Sequence, residues 1–146
     1  MAILHDPAAY AALRTRLENL RPDSTRQWGK MSVDQMLWHV NAAFEIVLGR
    51  KDAKPANMPI PRALLRFVVI KLPWTKGAPT IPEAVARAQY NFADEKARCL
   101  ALLDEIARVD LNGTWPRHPL LGSMSGRQHS ELQAKHLAHH LRQFSA

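Results

Sequence analysis

Apolar residues recur every three or four positions in four segments of the chain, which is the pattern of an amphipathic α-helix. The first segment runs from about residue 7 to residue 20, with Asp6 as the predicted N-cap and a proline at the first helical position. The second begins at a capping box of Ser32 and Gln35 and stops at Gly49. The two apolar stripes consist of Tyr10, Leu13, Leu17 and Leu20, and of Met36, Leu37, Val40, Phe44 and Val47.

Two further helices are predicted in the second half of the chain. The third starts near Pro82 and Glu83 and runs to about Arg108. Its buried side is formed by Val85, Phe92, Leu100, Leu103 and Ile106. The fourth starts at Ser125, where "SGRQ" repeats the capping-box pattern, and ends near Phe144. No alternating pattern of β-strands is visible, so the prediction is an all-α protein.

The second and third predicted helices are separated by a long connection over residues 49–81, with prolines at positions 55, 59, 61, 73 and 79. Within it, "PRALLRFVVIKLP" (61–73) predicts a short extra helix with a proline at each boundary. A connection of this length is not a tight antiparallel turn, so we expect a crossover that lets helices two and three run parallel. The predicted fold is a four-helix bundle with a long proline-rich crossover.

Composition fits one domain over residues 1–146. Apolar residues make up 47% of the chain, enough for a core, and the single cysteine excludes an intramolecular disulfide. We interpret Cys99 as a small core residue of the third helix. The start "MAILHDPAAY" lacks the pattern of a secretory signal, and "ALLRFVVIKL" (63–72) is too short to span a bilayer. We therefore expect a cytoplasmic protein that does not contact a membrane.

The net charge of +7 raises the question of nucleic-acid binding. The basic residues, however, are scattered from Arg14 to Arg142, and the sequence has no Cys/His finger spacing and no RNA-binding aromatic motif. A solvated basic surface explains the charge, so no nucleic-acid partner is expected.

The C-terminal segment "KHLAHHLRQF" (135–144) contains three of the seven histidines. Residues four apart lie on the same face of a helix, so His136 and His140 point the same way and can bind one ion. The buried direction of this helix is marked by Leu137, Leu141 and Phe144. His136 and His140 flank that direction, whereas we expect His139 to face solvent.

A third ligand is expected from His39 in "QMLWHV", at the edge of the apolar stripe of the second helix. Three neutral imidazoles suit a divalent transition metal such as Zn, Ni or Fe and are typical of a catalytic site. Other interpretations remain open from spacing alone. The histidine pair can instead interact with the helix dipole, His39 can be a hydrogen-bonded core residue, and His129 is a rival third ligand.

These residues resemble the DinB-like superfamily of metal-binding four-helix bundles. The superfamily places one histidine in its second helix and an H-x-x-x-H pair in its last, which correspond here to His39 and to His136 and His140. The likeness extends to a branch of that superfamily, a domain of unknown function. The segments that carry it are "WGKMSVDQMLWH" (28–39), "KGAPT" (76–80), "HPLLG" (118–122) and "KHLAHHLRQF" (135–144).

The resemblance implies a bound metal and a small-molecule substrate. Some relatives are metal-dependent enzymes that use low-molecular-weight thiols, in which the metal would lower the pKa of a bound thiol or water. The expected function is therefore that of a hydrolase or thiol transferase, and the resemblance also favours a homodimer. The alternative is a non-enzymatic binding or dimerising bundle whose histidines are structural, because a fold does not determine a substrate.

Other motifs receive a structural interpretation. "GSMSG" (122–126) is not a nucleophile elbow, because Met124 occupies the central position and no strand precedes it. His118 in "HPLLG" either lines the mouth of a pocket or belongs to a turn that leads into the last helix, and we favour the turn. The four tryptophans are interpreted as packing residues, although Trp38 can wall the site. An acidic residue is expected to hydrogen-bond a ligand histidine; the candidates are Asp34, Glu45, Asp94 and Glu95.

Overall fold

The computed structural model describes residues 2–146 and contains five α-helices in this range. They are α1 (Pro7–Asn19), α2 (Val33–Val47), α3 (Arg62–Lys71), α4 (Phe92–Ile106) and α5 (Gly126–Gln143). One 3₁₀ turn, Pro82–Ala84, lies between α3 and α4. Residues 2–146 form no β-strand, and none of their helices combines the length and the apolar character needed to cross a membrane.

Helices α1, α2, α4 and α5 form the bundle, which confirms the predicted all-α four-helix-bundle fold. α1 and α2 each contact both α4 and α5, so the four helices surround one core. The fully buried side chains of that core come from all four helices and include Leu17, Met36, Phe44, Leu103 and Leu137. Cys99 is among them, and its burial raises the pKa of the thiol, as expected of a core residue.

The helix starts follow from their caps. The side chain of Asp6 accepts a hydrogen bond from the Ala8 N–H, and the Gln35 side chain accepts from the backbone N–H of Ser32. At α5, Ser125 and Gln128 bond each other reciprocally, at 3.1 and 3.0 Å. Ser125 is therefore the predicted cap and not a nucleophile.

The predicted start of the third helix is wrong. The helix begins at Phe92, capped by the Asn91 side chain, and residues 85–91 are not helical. This segment is held along α2 instead, because Asp34 accepts a hydrogen bond from the Tyr90 N–H and the Tyr90 ring stacks on Trp38. Tertiary contacts with α2 therefore override the helical propensity of the segment.

Helix α3 lies within the long connection and packs on α5, outside the four-helix core. Pro61 precedes it and Pro73 follows it, and its buried Leu65 and Ile70 share a small second apolar cluster with Leu121 and Leu132. Its opposite side leaves Leu64, Phe67, Val68 and Leu72 exposed. The parallel direction of the helices across this connection stays a prediction.

Candidate metal centre

Three histidines from two helices converge between α2 and α5. His39 projects from the middle of α2, and His136 and His140 project from successive turns of α5. One ring nitrogen from each lies within 4.8 Å of the other two, and His39 Nε2 is 2.9 Å from His136 Nε2. His39 and His140 are buried and His136 is partly buried. The structure thus brings together the three residues that the sequence suggested as ligands.

The orientation of the His39 ring is fixed by a carbonyl group. His39 Nδ1 lies 2.7 Å from the carbonyl oxygen of Ala84. A carbonyl oxygen can only accept, so Nδ1 carries the proton and donates it. In the neutral ring Nε2 then has a free lone pair, directed at the other two histidines. Ala84 can serve in this way because the chain leaves the 3₁₀ turn after it, so no helical N–H occupies its carbonyl.

A side-chain amide fixes the His140 ring by the same logic. Gln143 Nε2 donates to the carbonyl oxygen of Trp28 at 3.0 Å, which turns Gln143 Oε1 toward His140. That oxygen lies 2.8 Å from His140 Nδ1, so Nδ1 donates and Nε2 is left with its lone pair. Histidines that bind metals usually have their second nitrogen held by such an acceptor.

Gly29 makes room for this amide. Its φ of +83° lies in the left-handed region, and a Cβ at this position would lie 2.6 Å from Gln143 Nε2. The "WG" of the "WGKMSVDQMLWH" segment therefore has a physical role. Trp28 supplies the carbonyl that orients Gln143, and the glycine after it allows the close approach.

The electrostatics favour neutral imidazoles. Burial lowers the pKa of His39, and the bond to Ala84 offsets this only in part. Burial, together with the neighbouring His140 and His39, lowers the pKa of His136 well below its usual value. Burial and His39 lower the pKa of His140 to about 3. All three rings are therefore unprotonated at neutral pH, which is the form that binds a metal.

A cleft of about 650 Å³ opens beside the three histidines. Apolar side chains from α2, α3 and the connections form most of its wall, among them Trp28, Val47, Val69, Trp74, Ile81 and Leu120. Its lining in the described part of the chain includes no aspartate or glutamate, and Lys30 is its one lysine or arginine. The histidine cluster therefore meets a largely apolar space large enough for a small molecule.

The expectation that His139 faces solvent is wrong. The ring is half-buried and lies edge-on to Trp28 and Trp74, at centroid distances of 5.5 and 5.2 Å. The two tryptophans belong to segments outside the bundle helices. The geometry of α5 alone does not show that these segments cover His139, so the prediction failed. His139 lines the cleft without joining the three-histidine cluster.

The rival ligand His129 lies elsewhere. It is fully buried, stacked on Trp115 at a centroid distance of 5.4 Å, and neither ring nitrogen has a hydrogen-bond partner among residues 2–146. Burial lowers the pKa of His129 to about 4. His118 fits both interpretations given to it. Its backbone pairs with Gly122 in a tight turn, and its side chain lines the cleft.

The expected acidic partner of a ligand histidine is not found in the described structure. Asp34 accepts from the Tyr90 N–H and Glu45 pairs with Arg98 across the α2–α4 contact. A carbonyl and an amide orient the rings instead. The Gln143 amide had a signal in the sequence, because it comes three residues after His140. The Ala84 carbonyl had no signal, since every residue has a backbone carbonyl.

The donor set fits a divalent transition metal. Three neutral imidazoles with two second nitrogens already held are suited to Zn, Ni or Fe, whereas Mg and Ca prefer oxygen ligands. Two lone pairs on His39 Nε2 and His136 Nε2 would repel each other at 2.9 Å, so a proton or a cation must lie between them. The three histidines therefore fit a bound metal ion as well as a shared proton.

Comparison with known proteins agrees with this arrangement. A family model described as the DinB superfamily matches residues 7–144. Neither a curated protein nor a solved structure matches the chain. The family match covers all four bundle helices and the three histidines, and it confirms the resemblance inferred from the motifs. The chain belongs to the DinB superfamily.

Proposed function

We propose that this protein is a metal-dependent enzyme that acts on a small molecule, with His39, His136 and His140 as the ligands of a divalent transition metal such as Zn, Ni or Fe. The observation that carries the proposal is the shared orientation of the rings. Ala84 and Gln143 hold the Nδ1 atoms of two rings, and one ring nitrogen of each of the three histidines lies within 4.8 Å of the other two, beside the cleft.

The chemistry we propose is hydrolysis or the transfer of a small thiol. A bound metal would lower the pKa of a water or thiol and so supply a nucleophile near neutral pH. The chain contributes the remaining parts. Three protein ligands are the number typical of catalytic zinc sites, and the apolar wall of the cleft excludes bulk water from the substrate.

Elemental analysis of the purified, tag-free protein tests the metal. We expect one metal ion per chain in the wild type and almost none in His39→Ala and His136→Ala. His139→Ala is the matched control, because this residue is also a histidine of α5 that lines the cleft but stands outside the cluster. Circular dichroism on each variant checks that the helices remain. A wild type without metal after incubation with excess Zn, Ni or Fe would refute the proposal.

The reaction class needs a second experiment on the metal-loaded protein. Screening simple esters, amides and thiol conjugates should yield turnover that disappears with the metal in His136→Ala and persists in His139→Ala. Turnover that is equal in the metal-free protein would show that the histidine cluster does not catalyse the reaction.

One observation favours the alternative of a binding or dimerising bundle. Leu64, Phe67 and Val68, which are three or four residues apart on α3, are 53%, 55% and 41% exposed, and grouped apolar side chains of this kind mark interaction surfaces. A second copy of the chain is the partner that we propose for this surface. Sedimentation velocity of the wild type and of Phe67→Glu tests it, with a dimer expected in the first and a monomer in the second. If dimerisation is the whole function, the dimer should be lost when the exposed surface of α3 is changed. It should persist when the histidines are replaced.

A further inference from the structure

A buried glutamine lies next to the histidine cluster without a hydrogen-bond partner for its oxygen. Gln133 is 3% exposed and lines the cleft, and its Oε1 accepts no hydrogen bond within residues 2–146. It precedes His136 by three residues on α5, so the two side chains are neighbours on one helix face. A buried amide oxygen without a donor is costly. Because this oxygen is shielded from solvent in the conformation shown, a ligand N–H would remove that cost once the amide turns the oxygen toward the cleft.

His118, another residue that lines the cleft, supplies a complementary donor. Its Nδ1 accepts two backbone hydrogen bonds, from the N–H groups of Leu120 and Leu121, each at 3.1 Å. Nδ1 is therefore unprotonated, and the neutral ring must carry its proton on Nε2. That Nε2–H makes no hydrogen bond with any group of residues 2–146, and the side chain lines the cleft.

The charge of the cleft restricts what these two groups can bind. Neither Gln133 nor His118 carries a charge at neutral pH, and no acidic side chain lines the described cleft. A buried ammonium or carboxylate on the ligand would need an opposite charge at this place, which the pair does not offer. A neutral group with one donor and one acceptor satisfies both.

We propose that Gln133 and His118 form a subsite for an amide group of the substrate, with Gln133 Oε1 accepting from the amide N–H and His118 Nε2–H donating to its carbonyl oxygen. The inference rests on the proposed function, because the substrate is placed in the cleft of the metal centre. It adds the substrate class: a small molecule with an amide close to its reacting atom.

A pair of probes that differ in one group tests the subsite. N-acetylcysteamine and 2-mercaptoethyl acetate share a thiol, which serves as the metal-binding group, but the second has an ester oxygen in place of the amide N–H. Isothermal titration calorimetry measures the binding of each to the zinc-loaded protein. One hydrogen bond to a buried acceptor predicts that the wild type binds the amide roughly tenfold more tightly than the ester.

Three variants assign the contacts. Gln133→Met keeps the shape and helix propensity of the residue but removes the acceptor, so the preference for the amide should fall to about onefold. Gln89→Met makes the same change at an exposed residue outside the cleft and should keep the preference. His118→Asn retains an oxygen where Nδ1 accepts but removes the Nε2 donor. It should weaken both probes by a similar factor, since both have a carbonyl.

Metal content is measured on the same samples, which separates the two proposals. A protein that binds none of Zn, Ni or Fe refutes the proposed function, and the subsite falls with it. A zinc-loaded protein that binds neither probe, binds both equally well, or keeps its preference in Gln133→Met overturns the subsite alone. Loss of the preference in Gln133→Met with unchanged zinc content supports it.

Discussion

Gln143 provides the sharpest test of how the proposed metal centre is built, because it contacts the proposed ligand His140 without being a ligand itself. It is 3% exposed and makes two contacts, one to His140 Nδ1 at 2.8 Å and one to the Trp28 carbonyl at 3.0 Å. Replacing it with leucine removes both while keeping a side chain of similar size. The His140 ring then loses the acceptor that fixes its tautomer and its orientation.

The expected loss of affinity follows from this geometry. Removing the group that orients a ligand histidine typically costs 10- to 100-fold in metal affinity, which corresponds to about 1.4–2.7 kcal/mol. Gln143→Leu also leaves a buried donor and a buried acceptor unpaired, so the free energy of unfolding should fall by about 1–3 kcal/mol. Competition with a chelator of known zinc affinity measures the first effect, and urea denaturation of the metal-free protein measures the second.

A second variant at the same position separates the two contacts. Gln143→Glu retains an acceptor for His140 Nδ1–H but loses the bond that turns it toward this ring, so zinc affinity should fall less than in Gln143→Leu. It removes the donor to the Trp28 carbonyl, so stability should still fall. If Gln143→Leu binds zinc as tightly as the wild type, the claim that this amide holds the ligand is refuted.

Three substitutions test other parts of the structure. Gly29→Ala places a Cβ at positive φ and 2.6 Å from the amide nitrogen that the glycine accommodates, so zinc affinity should drop at least severalfold in chelator competition. Gly126→Ala should lower the free energy of unfolding in urea by roughly 3 kcal/mol, because its Cβ would overlap the Leu111 carbonyl and approach Trp115. The folded pKa of His129 is about 4, below its unfolded value, so the unfolded state binds one more proton in this pH range. The free energy of unfolding should therefore fall by up to about 3 kcal/mol as pH drops from about 6.5 to 4. His129→Leu should shrink this slope in denaturation curves of the metal-free protein, and an unchanged slope would contradict the assigned shift.

The bundle could be predicted from the sequence because each helix carries both its pattern and its caps. Asp6, Ser32 and Ser125 marked three starts correctly. The fourth failed because Pro82 and an acidic residue resemble the first turn of a helix, while Asn91 was the functional cap. No local pattern records that the intervening residues pack along α2, since that depends on contacts with residues more than fifty positions away.

The three-histidine cluster could be predicted for a different reason. The spacing of His136 and His140 places them on one face of any α-helix, and the position of His39 matched both its helix stripe and the family pattern. The groups that orient the rings of His39 and His140 could not be predicted. The Ala84 carbonyl leaves no trace in residue type, and Gln143 is one of many polar residues three positions from a histidine.

The bundle helices and the connecting segments contribute to the site in different ways. The three histidines stand on α2 and α5, whose backbones are fixed by the bundle core. The Ala84 carbonyl, which holds the His39 ring, and the Trp28 carbonyl, which holds Gln143 against His140, belong to segments outside the bundle helices. Helices set how far apart the rings lie, and the connecting segments, directly at His39 and through Gln143 at His140, set which nitrogen these two rings present. A substitution that loosens a connecting segment therefore lowers metal affinity without altering a ligand or the fold. For this reason metal affinity, and not helix content, reports whether the site is correctly assembled.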